Sequence, residues 1–225
     1  PFFDGKFSAT ALYILTHYQS PEKIANMNAK SYEALRKKSR GKFSMVKFAQ
    51  LKTLAKNTVG RSDAFLLKQM EITIDIENQL DAKIDEIESQ ILECIHALNP
   101  PILTIPGIGE LTAAIILSEY GNINKFENPA QLLSFAGLEP GYYQSGLAEH
   151  QGHMVKHGSS HLRYALMNAC LPLITYEPVF AEYYAKKRAE GKPHRVALTH
   201  VAKKLLRVIF TLQTKNISYD PTLIR

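Results

Sequence analysis

Ser145 is followed at once by Gly146 and preceded by Tyr142, Tyr143 and Gln144. It is the first group in this sequence that could do covalent chemistry. A serine hydroxyl is a weak nucleophile until a base, a metal or local positive charge activates it. His150, His153, Lys156, His157, His161 and Arg163 all follow within a short stretch. Such a neighbourhood suits phosphoryl transfer, which needs positioning and cations for the equatorial oxygens. From residue types alone two readings stand: a nucleophile on a tight turn, or an ordinary turn serine, the commoner case. Tyr142 or Tyr143 as a nucleophile would require several convergent Arg and His residues. Only His161 and Arg163 are tightly spaced, so that reading ranks below serine. Stacking on an unpaired base or core packing suits both tyrosines better.

A second motif lies upstream, in Leu103-Thr104-Ile105-Pro106-Gly107-Ile108-Gly109-Glu110, ahead of the apolar run Leu111–Leu117. Pro106, Gly107, Ile108 and Gly109 have the form of the hairpin in a helix-hairpin-helix. Glycines there let backbone N–H groups point outward, and the next helix adds its own unpaired donors and positive dipole end. Ile105 and Ile108 would anchor the turn in the core. Such a device holds a phosphate without reading sequence. The other reading is a glycine-containing helix start that simply packs. Lys156, His157 and Arg163 are further candidates for nucleic-acid contact. His150, His153, His157 and His161 are four of the eight histidines. No Cys or paired carboxylate joins them, and Gly158 interrupts a regular turn, so a phosphate-facing basic loop is favoured over zinc. No metal or other cofactor is expected in this chain.

The elements that must position these residues belong to a chain of 225 residues with a formal net charge of +6. That length buries a full core or two small ones, and the charge favours a polyanionic partner. The basic residues segregate. One group runs from Arg36 to Arg61 and another from Lys186 to Arg207, with an acid-rich stretch from Glu71 to Glu93 between them. Ordinary solvated helix faces are the plainer reading of any single lysine. Cys94 and Cys170 both sit in apolar helical contexts, which predicts core packing in a reducing cytoplasm rather than a disulfide. No apolar run approaches the roughly 20 residues of a membrane span. The chain opens on Pro1 rather than Met, and is expected to be a processed product or an excised fragment, soluble and cytoplasmic.

Strand signals are nearly absent, and the pattern predicts an all-α fold. Ser8–Tyr18 reads as a short helix. Ser20-Pro21 starts another that continues to about Ser39 and is broken by Gly41. Ser44–Asn57 forms a third, closed by Gly60. From Ser62 no Gly or Pro occurs until Pro100. Ile72, Ile76, Leu80, Ile84, Ile87, Ile91, Cys94 and Leu98 recur at steps of four, then of three and four, a heptad seam in its later part. Such a helix reaches about 55 Å. It is either a coiled coil with a partner chain or a hairpin packed on the preceding helices. Asn99-Pro100-Pro101 ends it. The organisation is a helical region over 1–61, a coiled-coil helix over 62–99 and a C-terminal helical domain over 100–225. Helices are expected at 108–120, 128–135, 160–175, 177–190 and 195–214. The segment 136–158 is expected to be a loop with room for a short hairpin.

Several signatures beyond the glycine turn fall in fixed order: Phe126, then Leu132-Leu133-Ser134-Phe135-Ala136-Gly137-Leu138-Glu139-Pro140 and Gln144-Ser145-Gly146. Lys156-His157-Gly158, Leu162-Arg163-Tyr164-Ala165-Leu166, Tyr183-Tyr184, Gly191-Lys192-Pro193 and Ala202-Lys203-Lys204-Leu205-Leu206 complete the set. On these residues the segment from Leu103 to about Lys215 resembles the C-terminal domain of a particular group of insertion-sequence transposases. They pair a RuvC-like nuclease domain with a small serine-bearing domain and are guided by a bridge RNA. The stretch 62–98 is similar to that group's connecting coiled coil.

The resemblance implies that Ser145 is the nucleophile and forms a covalent serine–DNA phosphodiester. It also implies that an N-terminal acidic cluster holding Mg²⁺ supplies the other catalytic half. No β-rich nuclease fold precedes the match here, and the chain is expected to begin just past it. His157, Ser159, Ser160 and His161 stand where more Arg, Lys and Asn are expected, leaving the loop less cationic and open to control by pH. The partners implied are DNA, a guide RNA and, through 62–98, further copies of the chain, with no membrane. The contrasting class is a non-enzymatic nucleic-acid-binding and dimerisation module.

Overall fold

A computed structural model describes residues 8–59, 63–145, 148–154 and 157–223, with 140–145 and 148–154 described through their backbone. The architecture is all-α, with one two-stranded hairpin among the described residues. Two compact units divide within one long helix, the first reaching to Glu86 and the second starting at Ile87.

The first unit is punctuated by side-chain caps. Helix α1 (Ala9–Tyr18) is capped by Ser8 Oγ, which accepts from the Ala11 N–H, and α2 (Pro21–Ala25) by Ser20 Oγ, which accepts from the Lys23 N–H. The single helix expected from Ser20 to Ser39 is in fact two. Asn28 Oδ1 accepts from the Ser31 N–H at 3.1 Å, and Ser31 Oγ accepts from the Asn28 N–H at 3.3 Å. That reciprocal box starts α3 (Ala29–Lys38) afresh. Asparagine side chains compete with the helical backbone, so Asn26 and Asn28 divide what the apolar pattern joined. Gly41, at φ +81°, turns the chain into α4 (Met45–Lys56), which Ser44 caps. Gly60 lies outside the described residues. Ile14, Met27, Leu35, Phe43, Phe48 and Leu51 form the core. The Lys52 ammonium donates to the Met27 carbonyl at 2.6 Å and ties α4 to the break between α2 and α3.

Helix α5 (Ala64–Leu98) runs 35 residues without Gly or Pro, about 52 Å at 1.5 Å per residue. Ile74 and Ile95 are buried, but Ile72, Ile76, Leu80, Ile84 and Ile87 are 50 to 59% exposed. Among the described residues these seam positions are therefore exposed. Cys94 is exposed along with it, contrary to the core position expected from its apolar neighbours. Those neighbours are themselves seam residues. Cys170 does lie in the core, where its thiol donates to the Leu166 carbonyl at 3.1 Å and burial pushes its pKa up to about 12.

In the second unit Asn99 takes φ +40° ahead of the proline pair, and a 3₁₀ turn (Pro101–Thr104) leads to α6 (Glu110–Tyr120). Helix α7 (Pro129–Phe135) starts at Asn128, whose Oδ1 accepts from the Ala130 and Gln131 N–H groups. Strands β1 (Pro140–Ser145) and β2 (Ala148–Met154) form an antiparallel hairpin, followed by α8 (Ser160–Tyr176), α9 (Pro178–Ala189) and α10 (His194–Lys215). Leu162, Leu166 and Leu173 of α8 pack with Ile116 and Tyr120 of α6, Phe180 of α9 and Leu205 and Leu206 of α10 in one core. No described helix is long and apolar enough to cross a membrane.

Candidate active site

The hairpin that carries Ser145 rises from a junction where α7 ends and α8 begins. Helix α7 closes with two bonds: the Gly137 N–H donates to the Ser134 carbonyl at 2.8 Å, and the Leu138 N–H to the Leu133 carbonyl at 3.0 Å. This pairing requires a left-handed residue after the helix, and Gly137 supplies it at φ +63°. A Cβ on Gly137 would overlap the His157 carbonyl and the Arg163 guanidinium, and one on Gly158, at φ +105°, would overlap the Phe135 carbonyl. The outgoing and returning chains thus meet backbone to backbone. The Ser159 N–H donates to the Phe135 carbonyl at 2.8 Å. Ser159 Oγ caps α8 by accepting from the Leu162 N–H at 2.9 Å and donates to the Glu119 carboxylate at 2.5 Å. Arg163 Nη1 donates to the Ala136 carbonyl at 3.0 Å.

From this foot the hairpin extends in the register Tyr142–Gln151, Tyr143–His150, Gln144–Glu149 and Ser145–Ala148, with an irregularity between Pro140 and Tyr142. Ser145 is the last residue of β1, five steps from Pro140, about 17 Å along a strand. Gly146, Leu147 and Lys156 lie outside the described residues. His157 and His161 are both exposed, and among the described residues no three His, Cys, Asp or Glu side chains converge as a metal site would require. Arg163, a candidate phosphate clamp, is half-buried at the foot and holds the end of α7. Its guanidinium keeps further donors beyond the one given to Ala136. Sequence reasoning missed Glu119 and the Ala136 carbonyl as partners. Nothing local marks Glu119 as the residue that meets Ser159.

The glycine turn is built differently from an open phosphate cradle. Ile105 and Ile108 are buried, as anchoring the turn requires, and the Ile108 N–H donates to the Ile105 carbonyl at 3.2 Å. Gly107 takes φ +87°, and a Cβ there would stand 2.9 Å from the carbonyl carbon and oxygen of Pro172 in α8. Gly107 is therefore where the turn lies against α8. Gly109 faces open space and is the N-cap of α6, with no side-chain cap bond. The first turn of α6 carries Glu110, whose carboxylate meets His96 Nε2 at 2.6 Å. An acid at that end opposes an anion. What remains for a phosphate is the exposed Gly109 corner and the uncapped N–H groups behind it.

Gly137→Ala and Gly158→Ala should each lower stability by at least about 1–3 kcal/mol through strained φ and backbone overlap. Gly109→Ser, in open space with extended φ, should leave stability unchanged or raise it slightly by capping α6. Urea unfolding of the three variants checks this. Equal losses at all three positions would remove the distinction between the packed glycines and the open one.

Residues 99–185 match the family described as Transposase IS116/IS110/IS902. Among curated proteins, the chain is 32% identical to an insertion element IS110 uncharacterized 43.6 kDa protein of Streptomyces coelicolor, over 60% of this chain and 34% of that protein. It is 30% identical to the pilin gene-inverting protein of Moraxella bovis, over 65% of this chain and 46% of that protein. It is also 25% identical to an insertion element IS900 uncharacterized 42 kDa protein of Mycobacterium paratuberculosis, over 97% of this chain and 56% of that protein. The chain thus spans from a third to just over half the length of these relatives. Residues 99–185, the stretch that matches that family, hold the glycine turn, the hairpin and helices α6 to α8.

Proposed function

We propose that this chain is the serine-bearing part of a DNA transposase, in which Ser145 attacks a phosphodiester and becomes joined to the strand. The observation that carries the reading is the position of Ser145 at the outer end of a hairpin with a doubly clamped foot, inside the stretch that matches the family. In the reaction, serine Oγ gives up its proton and bonds to phosphorus, the bond from phosphorus to a sugar oxygen breaks, and that oxygen takes up a proton to become a hydroxyl. One phosphodiester replaces another. The strand can therefore be rejoined to a new hydroxyl without an energy-rich cofactor. A hydroxyl attacks only when it is held in line with the leaving oxygen, so a rigid foot beneath the hairpin serves the chemistry directly. Relatives named for insertion elements and for pilin gene inversion fit this reaction, because moving or inverting a DNA segment requires strands to be cut and rejoined.

On this reading the chain works in the cytoplasm, with DNA and a guide RNA as partners. A nuclease half supplies the acidic cluster for Mg²⁺. The described residues of this chain contain no such ligand set, and their own contribution is to hold Ser145 and contact phosphates. The Gly109 corner of the Pro106–Gly109 turn, with His157, Lys156 and Arg163, makes the backbone contacts. The uncovered α5 seam adds self-association. That seam is also the observation that favours a binding and dimerisation module as the second reading, and for the isolated chain the two readings converge.

In the protein joined to its nuclease half, Ser145→Ala should abolish strand joining and leave DNA affinity within a few-fold. Recombination assays beside binding titrations measure both, and normal joining by the alanine variant would refute the nucleophile. Leu80→Asp with Ile87→Asp places charges in the seam at a cost of several kcal/mol to any assembled form. Sedimentation should then show a smaller species than the parent chain. An unchanged mass would exclude the seam as the interface.

A further inference from the structure

Helix α10 is a 22-residue surface helix with Arg195, Lys203, Lys204, Arg207 and Lys215 and not one Asp or Glu. Ala197, Leu198, Val201, Ala202, Leu205, Leu206 and Ile209 bury one side of it. At 3.6 residues per turn the opposite side carries Val196, His200, Lys203 and Arg207 in one stripe. The last turn of α9 adds Lys186, Lys187 and Arg188, and the turn between the helices adds Lys192. Three of these cations have local partners. Lys187 pairs with Glu190 at 2.9 Å, Arg188 donates to the Lys192 carbonyl at 2.7 Å, and the Lys204 ammonium lies 4.9 Å from the Tyr183 ring centre. Among the described residues, Lys186, Lys192, Lys203 and Arg207 form no ion pair.

A merely solvated helix face looks different, and α5 of the same chain shows how. There acids and lysines intermix, with Lys68–Glu71 and Lys83–Glu86 pairs one turn apart. On α10 the like charges Lys203 and Arg207 stand at i,i+4, which destabilises a helix. Their fields overlap: burial and then Arg207 lower the Lys203 pKa, while burial and then Lys187, Lys203 and Lys192 lower that of His200. Helix α10 packs against α7, whose end forms the hairpin foot, and the Glu139 carboxylate beside that foot acts on Lys203. Glu139, Glu182 and Glu190 act on single members of this surface, but the cations outnumber them, and an anion from outside would complete the balance. From Lys192 to Arg207 the stripe runs about 22 Å at 1.5 Å per residue, the length of roughly six phosphates along one strand of a duplex.

We propose that Lys186, Lys192, His200, Lys203 and Arg207 form a track for a nucleic-acid phosphate backbone, leading the strand toward the foot of the Ser145 hairpin. The track itself stands on the charge pattern, and its destination rests on the serine reading above. Its contacts address phosphates, so it binds without sequence preference.

The test uses the chain as it stands, with fluorescence anisotropy on a labelled DNA duplex and a single-stranded RNA across a salt series. Lys192→Gln/Lys203→Gln/Arg207→Gln is compared with Lys30→Gln/Lys37→Gln/Lys38→Gln, which removes the same charge from exposed positions of the first unit. The stripe variant should bind at least about tenfold more weakly, with a duplex salt slope shallower by about 2.7 for three lost phosphate contacts. The control should stay within about threefold of the parent, since it loses only diffuse charge. Loss on duplex alone, on RNA alone or on both supports the track and names its ligand. Equal loss in both variants, or none in the stripe variant, overturns it. If half-buried Lys203 proves necessary for folding, Lys192→Gln/Arg207→Gln carries the same test at exposed positions. Ser145→Ala should bind as the parent does, and adduct formation is read separately, so the track and the nucleophile can fail independently.

Discussion

Two backbones cross at Gly137 and Gly158 with no room for a Cβ on either, and the arrangement of the second unit follows from that contact. The crossing holds the last carbonyls of α7 against the first residues of α8. Three bonds form around the crossing. Phe135 accepts from Ser159, Ala136 accepts from Arg163, and Ser159 reaches Glu119 on α6. Three helices are thereby tied beneath one hairpin by backbone and charge-assisted bonds, which the partly buried setting strengthens. Ser145 inherits its position from this foot, with five strand residues between them.

Helix α8 meets glycine twice, at its start through Gly158 and again at Pro172, where Gly107 lies against the backbone. Proline inside a helix gives up an N–H and leaves a carbonyl one turn earlier without its usual donor. A glycine turn can press closely onto such a surface where a side chain could not. The glycine-rich motif read as a phosphate grip is thus partly a packing device. Its outward share is the open Gly109 corner, and there Glu110 and His96 already form a pair.

Most of the helical frame was legible because caps and breakers are local. Ser8, Ser20, Ser44, Asn128 and the Pro100–Pro101 pair mark their boundaries on the page, and the apolar spacing places the helices after Pro100 to within about two residues. The break before α3 was missed because its box uses Ser31 rather than the Glu or Gln usually found three residues after a cap. Cys94 was misplaced because apolar spacing shows which face of a helix is buried only if something covers it. The site divides the same way. Ser145 on a turn is a sequence-local feature. The roles of Glu119, Arg163, Gly107 and Gly158 arise from contacts between residues up to 65 positions apart, and no spacing rule contains them.

Among the described residues, two faces stand without partners of their own, the apolar seam of α5 and the cationic stripe of α10. On the proposed reading one takes a helix and the other phosphates, while Ser145 ends the first strand of the clamped hairpin. The central claim is that this serine becomes bonded to DNA. Its most direct test is to trap the intermediate on a nicked substrate with the protein joined to the proposed nuclease half, and to locate the nucleotide by peptide mass spectrometry. The account predicts a phosphonucleotide on the peptide containing Ser145, at Ser145 itself. Attachment at Tyr142 or Tyr143, or efficient cleavage with no covalent adduct at any residue, would contradict it.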